Sequence, residues 1–178
     1  SSILPKLRKV TAVDANGHDR IFSYDQLVIA TGGKSIMPEL PGIHSSGVFS
    51  LRWMEDGFAF QKYLAARRPR SIVIIGGGYI GMEMADAMVK RGLSVSVVEY
   101  FPSVLTTFDP AFGEIVRDEL EKQSVKVYAG FKVGRIESTG GMLCVSSDTA
   151  AVSADMVLVA MGSRPESLLA QSAGLATG

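Results

Sequence analysis

The stretch Ile72 to Tyr100, IVIIGGGYIGMEMADAMVKRGLSVSVVEY, restricts the fold more than any other part of this chain. It opens on four β-branched residues in a row. Such a run suits a strand covered on both faces, because a half-exposed strand alternates polar and apolar side chains. Three glycines break the run. Tyr79 to Lys90 then reads as a helix, with Lys90-Arg91 in its last turn and Gly92 just past its end. Leu93 to Glu99 is a second apolar strand that stops on a carboxylate. The unit is βαβ, and parallel strands joined by helices twist into an open sheet that binds ligands at its carboxyl ends.

The glycines have separate tasks at this spacing. Gly76 makes the tight turn out of the strand, Gly78 lets backbone approach a pyrophosphate with no Cβ in the way, and Gly81 lets the helix pack close on the strand. The amides at the helix start offer unpaired donors and the positive end of a dipole to that anion. Glu99 follows Gly81 by 18 residues (99 minus 81). That is near the ~20 expected for an acid that accepts hydrogen bonds from an adenine ribose, and a carboxylate there repels a 2′-phosphate. The pattern therefore reads as a dinucleotide site that prefers NADH to NADPH.

Around this unit the first forty residues read as strands. Lys9 to Asp14 and Arg20 to Ser23 flank the turn Ala15-Asn16-Gly17, and Gln26 to Ala30 is an almost continuous apolar strand ending at Thr31-Gly32-Gly33. Ser50 reads as the cap of a helix running to about Ala66. Asp109-Pro110 opens a helix through Lys122. Short strands are expected at Val125 to Tyr128, Lys132 to Ser138, Met142 to Ser146 and Asp155 to Ala160. Tyr24 to Gly32 and Ala154 to Gly162 echo each other, each an Asp, a strand and then Ala-x-Gly. The chain starts Ser-Ser-Ile-Leu and stops after a loop-like stretch, which reads as a piece of a longer protein.

Composition excludes several classes. Lys+Arg and Asp+Glu are both 18, so no net field draws nucleic acid or an anionic membrane. The basic run Arg67-Arg68-Pro69-Arg70 reads as a solvated turn before a strand. Cys144 is the only cysteine, which removes disulfide frameworks, dithiol pairs and CxxC zinc sites, and it reads as a small hydrophobe in a strand. No apolar run reaches the ~18 residues of a spanning helix, so the cytoplasm is the expected compartment. No phosphate-loop motif and no Gly-x-Ser-x-Gly elbow occurs, and His18 and His44 stand alone in turn-like surroundings. No catalytic residue and no metal ligand is expected.

Three motifs in order, YDQLVIATGG, IVIIGGGYIGMEMADAM with VSVVE, and ADMVLVAMGSRPE, resemble the flavin-dependent pyridine nucleotide-disulfide oxidoreductases. The middle motif is most similar to the coenzyme A-disulfide reductase and NADH oxidase branch. The resemblance implies an α/β fold, with a Rossmann-like parallel sheet carrying helices on one face and a small antiparallel β meander on the other. It also implies flanking remnants of an FAD domain: residues 1–45 as FAD-domain strands and crossing, 46–160 as the NAD(H) domain, and 161–178 as the return. Tyr79 would stand between nicotinamide and flavin, and Glu83 near the nicotinamide; without the resemblance they read as a core aromatic and a solvated helix residue.

The cofactor-binding set so implied is Gly76, Gly77, Gly78, Tyr79, Ile80, Gly81, Glu83, Glu99 and Tyr100, with Ala30, Thr31, Gly32 and Gly162 at the two crossings. NAD(H) would bind this chain, and FAD the full-length parent. Remaining FAD and interface domains and a homodimer would be its partners. The family's redox cysteine, its FAD-binding glycine motif and its interface domain do not occur in these residues. Two rival readings stay open, an NADH-binding regulatory or electron-transfer module and a self-contained dehydrogenase. The second needs its own acid or base, and no Tyr-x-x-x-Lys is found.

Overall fold

A computed structural model of the chain describes residues 1–177 and divides it into two compact units, Ser1–Lys34 with Ser163–Gly178, and Ser35–Gly162. In chain order the elements of the first stretch are β1 (Ser2–Leu4), β2 (Lys9–Val13), β3 (Asp19–Ser23) and β4 (Gly33–Ser35). The large unit holds β5 (Val48–Ser50), α1 (Met54–Arg67), β6 (Ser71–Ile75), α2 (Tyr79–Lys90), β7 (Ser94–Val98), α3 (Pro110–Lys122) and β8 (Lys126–Tyr128). It continues through β9 (Arg135–Thr139), β10 (Met142–Ser146), β11 (Ala151–Ala154) and β12 (Met156–Val159), after which β13 (Ser163–Pro165) and α4 (Leu168–Ser172) return to the first unit.

The large unit is a three-layer α/β fold. Its central sheet is fully parallel, in the order β5-β12-β6-β7-β8, and β9, β10 and β11 form a separate antiparallel meander. Alternation along each strand sorts the two cores. Ile72 and Ile74 of β6 face the helices with Phe60, Ala85, Met88 and Leu120, while Val73 and Ile75 face the meander with Ile136, Leu143, Val145 and Val152. These four β6 residues are essentially sealed from solvent. Burying each such side chain stabilises by roughly 1.5–3 kcal/mol. That two-sided cover explains the unbroken apolar run in the sequence.

Four local expectations differ. Gln26 to Ala30 forms no strand, and Val28 is 87% exposed. Apolar character alone does not make a strand; a partner must take the backbone groups, and none of the described strands pairs with this run. Ser50 ends β5 instead of capping α1. The Asp56 carboxylate accepts from the Arg52 and Trp53 amides at 2.9 and 2.8 Å, so the third residue of the helix does the capping and moves its start to Met54. Ala151–Ala154 is an extra strand, closing the meander against β10. The tail after Ala160 includes a strand and a short helix.

Asp155 anchors the amino ends of two neighbouring strands. Its Oδ2 accepts from the Arg70 amide at 2.7 Å and from the Ser71 amide and hydroxyl at 2.9 Å each. Burial pushes this carboxyl up, but the hydrogen bonds from Arg70 and Ser71 outweigh it and hold it below the ordinary aspartate value. A group depressed on folding adds stability above its unfolded pKa, about 3.9, and loses it as pH falls through the folded value. Asp155→Ala is expected to cost about 2 kcal/mol at pH 7. In urea titrations the gap between wild type and variant should shrink below about pH 4; a constant gap down to pH 2 contradicts this role.

Candidate functional site

The carboxyl ends of β6, β7 and β12 open into a cleft of about 670 Å³, lined in part by Gly76–Gly78, Tyr79, Glu99 and Thr106. It lies where the order β12-β6-β7 reverses chain direction, the usual ligand position in an open parallel sheet. Gly76 has φ +110°, and a Cβ there would meet the Ala160 carbonyl oxygen at 2.5 Å. Its amide donates to the Val98 carbonyl at 2.8 Å, fixing the turn out of β6. Gly81 is buried, and a Cβ there would lie 2.0 Å from the Gly76 carbonyl oxygen, so helix and turn touch backbone to backbone. Gly78 is different. Nothing lies within 4 Å of where its Cβ would be, and its φ of −81° suits any residue. The space above it belongs to the cleft. No side chain caps α2 at Gly78, and the first amides of a helix have no partner within it.

Glu99 is 8% exposed, one of two buried polar or charged residues among those described. Its Oε2 accepts from the Gly77 amide at 2.5 Å and its Oε1 from the Phe101 amide at 2.8 Å. The Gly77 carbonyl in turn accepts from the Leu105 amide at 2.8 Å. Gly77 is thus held on both sides, by the carboxylate ending β7 and by the loop after it. That loop carries Val104, 2% exposed, whose side chain would meet a Cβ on Gly77 at 2.8 Å. Each Glu99 oxygen still has a lone pair free for a hydroxyl in the cleft.

Tyr79 stands at the rim, 61% exposed, with its ring edge-on to Phe108 at 5.4 Å. The cleft brings together Gly76, Gly77, Gly78, Tyr79, Ile80, Glu99, Tyr100 and Gly162. Gly81 lies beneath the loop, and Glu83 is exposed and does not line the cleft. Ala30, Thr31 and Gly32 belong to the other unit, where the Thr31 hydroxyl and the Gly32 carbonyl bond the backbone of Glu166. Sequence reasoning missed Leu105, Thr106, Phe131 and Lys132, which enter from the loops after β7 and β8. The one signal for them is their position just beyond strand ends. Cys144 lies half-buried in β10, its sulfur 3.6 Å from the Ser146 hydroxyl. Among the described residues no group of three His, Cys, Asp or Glu stands together, and no helix is long and apolar enough to cross a membrane. The arrangement can hold a dinucleotide: open amides and a Cβ-free approach for phosphates, and a fixed carboxylate for hydroxyls.

Comparison with known proteins agrees with this geometry. The family model for pyridine nucleotide-disulphide oxidoreductases matches residues 1–178. An NADH oxidase of Methanocaldococcus jannaschii is 38% identical over 174 residues, which cover 97% of this chain and 39% of that protein. Reduced CoADR-RHD of Bacillus anthracis superposes with a TM-score of 0.91 at 29% identity, over all of this chain and 32% of that one. The water-forming NADH oxidase of Lactobacillus brevis, solved with NADH bound, gives a TM-score of 0.86 at 26% identity, over 97% of this chain and 38% of that one. The chain thus spans about two fifths of the length of the curated relative it matches. It belongs to the pyridine nucleotide-disulphide oxidoreductase family.

Proposed function

We propose that this chain is the NAD(H)-binding portion of an FAD-dependent pyridine nucleotide-disulfide oxidoreductase, and that in the longer protein it positions NADH for hydride delivery to flavin. The observation that carries the reading is the pairing of an open Gly78 with a buried, oriented Glu99 in one cleft. Gly78 and the first amides of α2 receive the pyrophosphate, Gly77 borders it with its own amide held by Glu99, and Glu99 accepts the ribose hydroxyls. Tyr79, Ile80 and Tyr100 border the bound dinucleotide, and Gly81 holds α2 in place beneath it. Tyr79 shields the nicotinamide end until the cofactor enters, and Glu83 comes near it. NADH supplies the hydride when bound, and FAD in the longer protein accepts it. This chain's own residues orient the donor and exclude water.

In the same reading residues 46–160 are the NAD(H) domain, and residues 1–45 and 161–178 belong to the FAD domain. Ala30, Thr31, Gly32 and Gly162 are the crossings beside the cofactors. The longer protein is a cytoplasmic homodimer. Isothermal titration of the chain with NADH and then NADPH tests the cofactor assignment. NADPH is expected to bind at least tenfold more weakly, because its 2′-phosphate meets the Glu99 carboxylate. Equal or tighter NADPH binding contradicts the role given to Glu99.

A further inference from the structure

At the amino ends of the parallel strands, where β5, β6 and β12 begin, a second cleft of about 400 Å³ is lined by Tyr63, Arg67, Arg68, Arg70, Ser138 and Asp155, among others. The solvated turn expected from the sequence is here one wall of a concave site. The opposite wall is the β9–β10 hairpin, whose Gly140 and Gly141 both take positive φ, +61° and +84°. That is the backbone of a tight two-residue turn.

The three guanidinium groups are what this cleft has to offer. None of these three forms a direct ion pair among the described residues, whereas Arg8, Arg20, Arg117 and Arg135 each face a carboxylate. A cation in the last turn of a helix is ordinary, since it meets the negative end of the dipole, and this accounts for Arg67. It does not account for Arg68 and Arg70, which lie past the helix end. Arg68 takes φ +47°, a left-handed conformation that glycine adopts at lower cost. The one carboxylate in the cleft, Asp155, already accepts from the Arg70 amide and from the Ser71 amide and hydroxyl. Three positive charges against one such carboxylate leave about two uncompensated, beside the hydroxyls of Tyr63, Ser46 and Ser138.

We propose that this cleft is a binding site for a small polyanion carrying linked phosphate groups, separate from the dinucleotide cleft. Guanidinium forks match phosphate oxygens two at a time, and the hydroxyls of Ser46 and Ser138 can donate beside them. The site stands at the amino end of β6 and the glycine loop at its carboxyl end, five residues or roughly 16 Å away. One ligand does not fill both.

The test is isothermal titration of the chain with inorganic tripolyphosphate at about 0.15 M NaCl, alone and then with saturating NADH. Saturable binding that survives NADH is expected, and polyphosphate at ten times its Kd should raise Tm by roughly 4 °C. Arg67→Gln with Arg70→Gln should weaken tripolyphosphate at least tenfold, leave the NADH titration unchanged, and lower the Tm without polyphosphate by no more than about 3 °C. Both side chains are exposed, so these changes leave the core intact. No saturable binding, an undiminished affinity in the double variant, or displacement by NADH overturns the proposal; in the last two cases the anion sits elsewhere, such as at the glycine loop.

Discussion

Gly81→Ala should disrupt the cofactor site by pushing the helix off the glycine turn. The new Cβ would sit 2.0 Å from the Gly76 carbonyl oxygen and 3.6 Å from Ile74 Cγ2. The Gly76 carbonyl cannot yield, because it belongs to a turn pinned by the hydrogen bond from the Gly76 amide to the Val98 carbonyl; Ile74 is at ordinary contact distance and need not move. Helix α2 must therefore shift off β6, and Ala85 and Met88 lose their packing with it. Overpacking of this kind costs about 3 kcal/mol, or roughly 10 °C in Tm for a chain of this size. NADH affinity should fall more than 100-fold in the same variant. Gly78→Ala separates stability from binding, because its Cβ meets no protein atom within 4 Å. That variant should melt within about 2 °C of wild type and still lose NADH at least tenfold. If Gly78→Ala binds NADH normally, the space above Gly78 is not where the pyrophosphate lies.

Glu99→Gln tests the other half of the cleft. The carboxylate faces two donors, the Gly77 and Phe101 amides, one on each oxygen. A glutamine presents one carbonyl and one NH₂, so one of these amides is left facing another donor. An unsatisfied buried amide costs about 1–3 kcal/mol. The loss should appear as a lower urea midpoint without a change in the slope of the transition. In the ligand, removing the negative charge relieves repulsion of the 2′-phosphate. The preference for NADH over NADPH should fall about tenfold, equivalent to about 1.4 kcal/mol. A variant that keeps both the stability and the preference of wild type would show that Glu99 neither clasps the glycine loop nor reads the ribose.

The sequence made β6 and α2 legible to the residue, because each is decided locally. β6 is covered on both faces, so nothing interrupts its apolar run, and α2 has a glycine turn before it and Arg91-Gly92 after it. The helix at Pro110 was equally plain, since Asp109 accepts from the Ala111 amide as its cap. Elements that depend on distant partners were harder to read. Gln26 to Ala30 has the composition of a strand and lacks a neighbour, while Ala151–Ala154 has an unremarkable composition and gains one in β10. The glycine spacing pointed to the cleft, but the clasp on Gly77 was invisible in it. That clasp depends on Leu105, whose φ of +52° no sequence rule assigns to a leucine, and on Val104 filling the space beside Gly77. The arginine run is exposed, as a solvated turn should be, and the wall that faces it lies about seventy residues further along the chain.

The central claim is that the glycine loop and Glu99 form one dinucleotide site, and amide chemical-shift mapping with NADH tests it most directly. The chain, labelled with nitrogen-15, would be titrated with NADH while each backbone amide is followed. The expected result is that the largest shifts fall on Gly77, Gly78, Tyr79, Glu99 and Phe101, with Arg68, Arg70 and Ser71 at the amino ends of the strands unmoved. Shifts centred on Arg68 to Ser71, with the glycine loop silent, would contradict it.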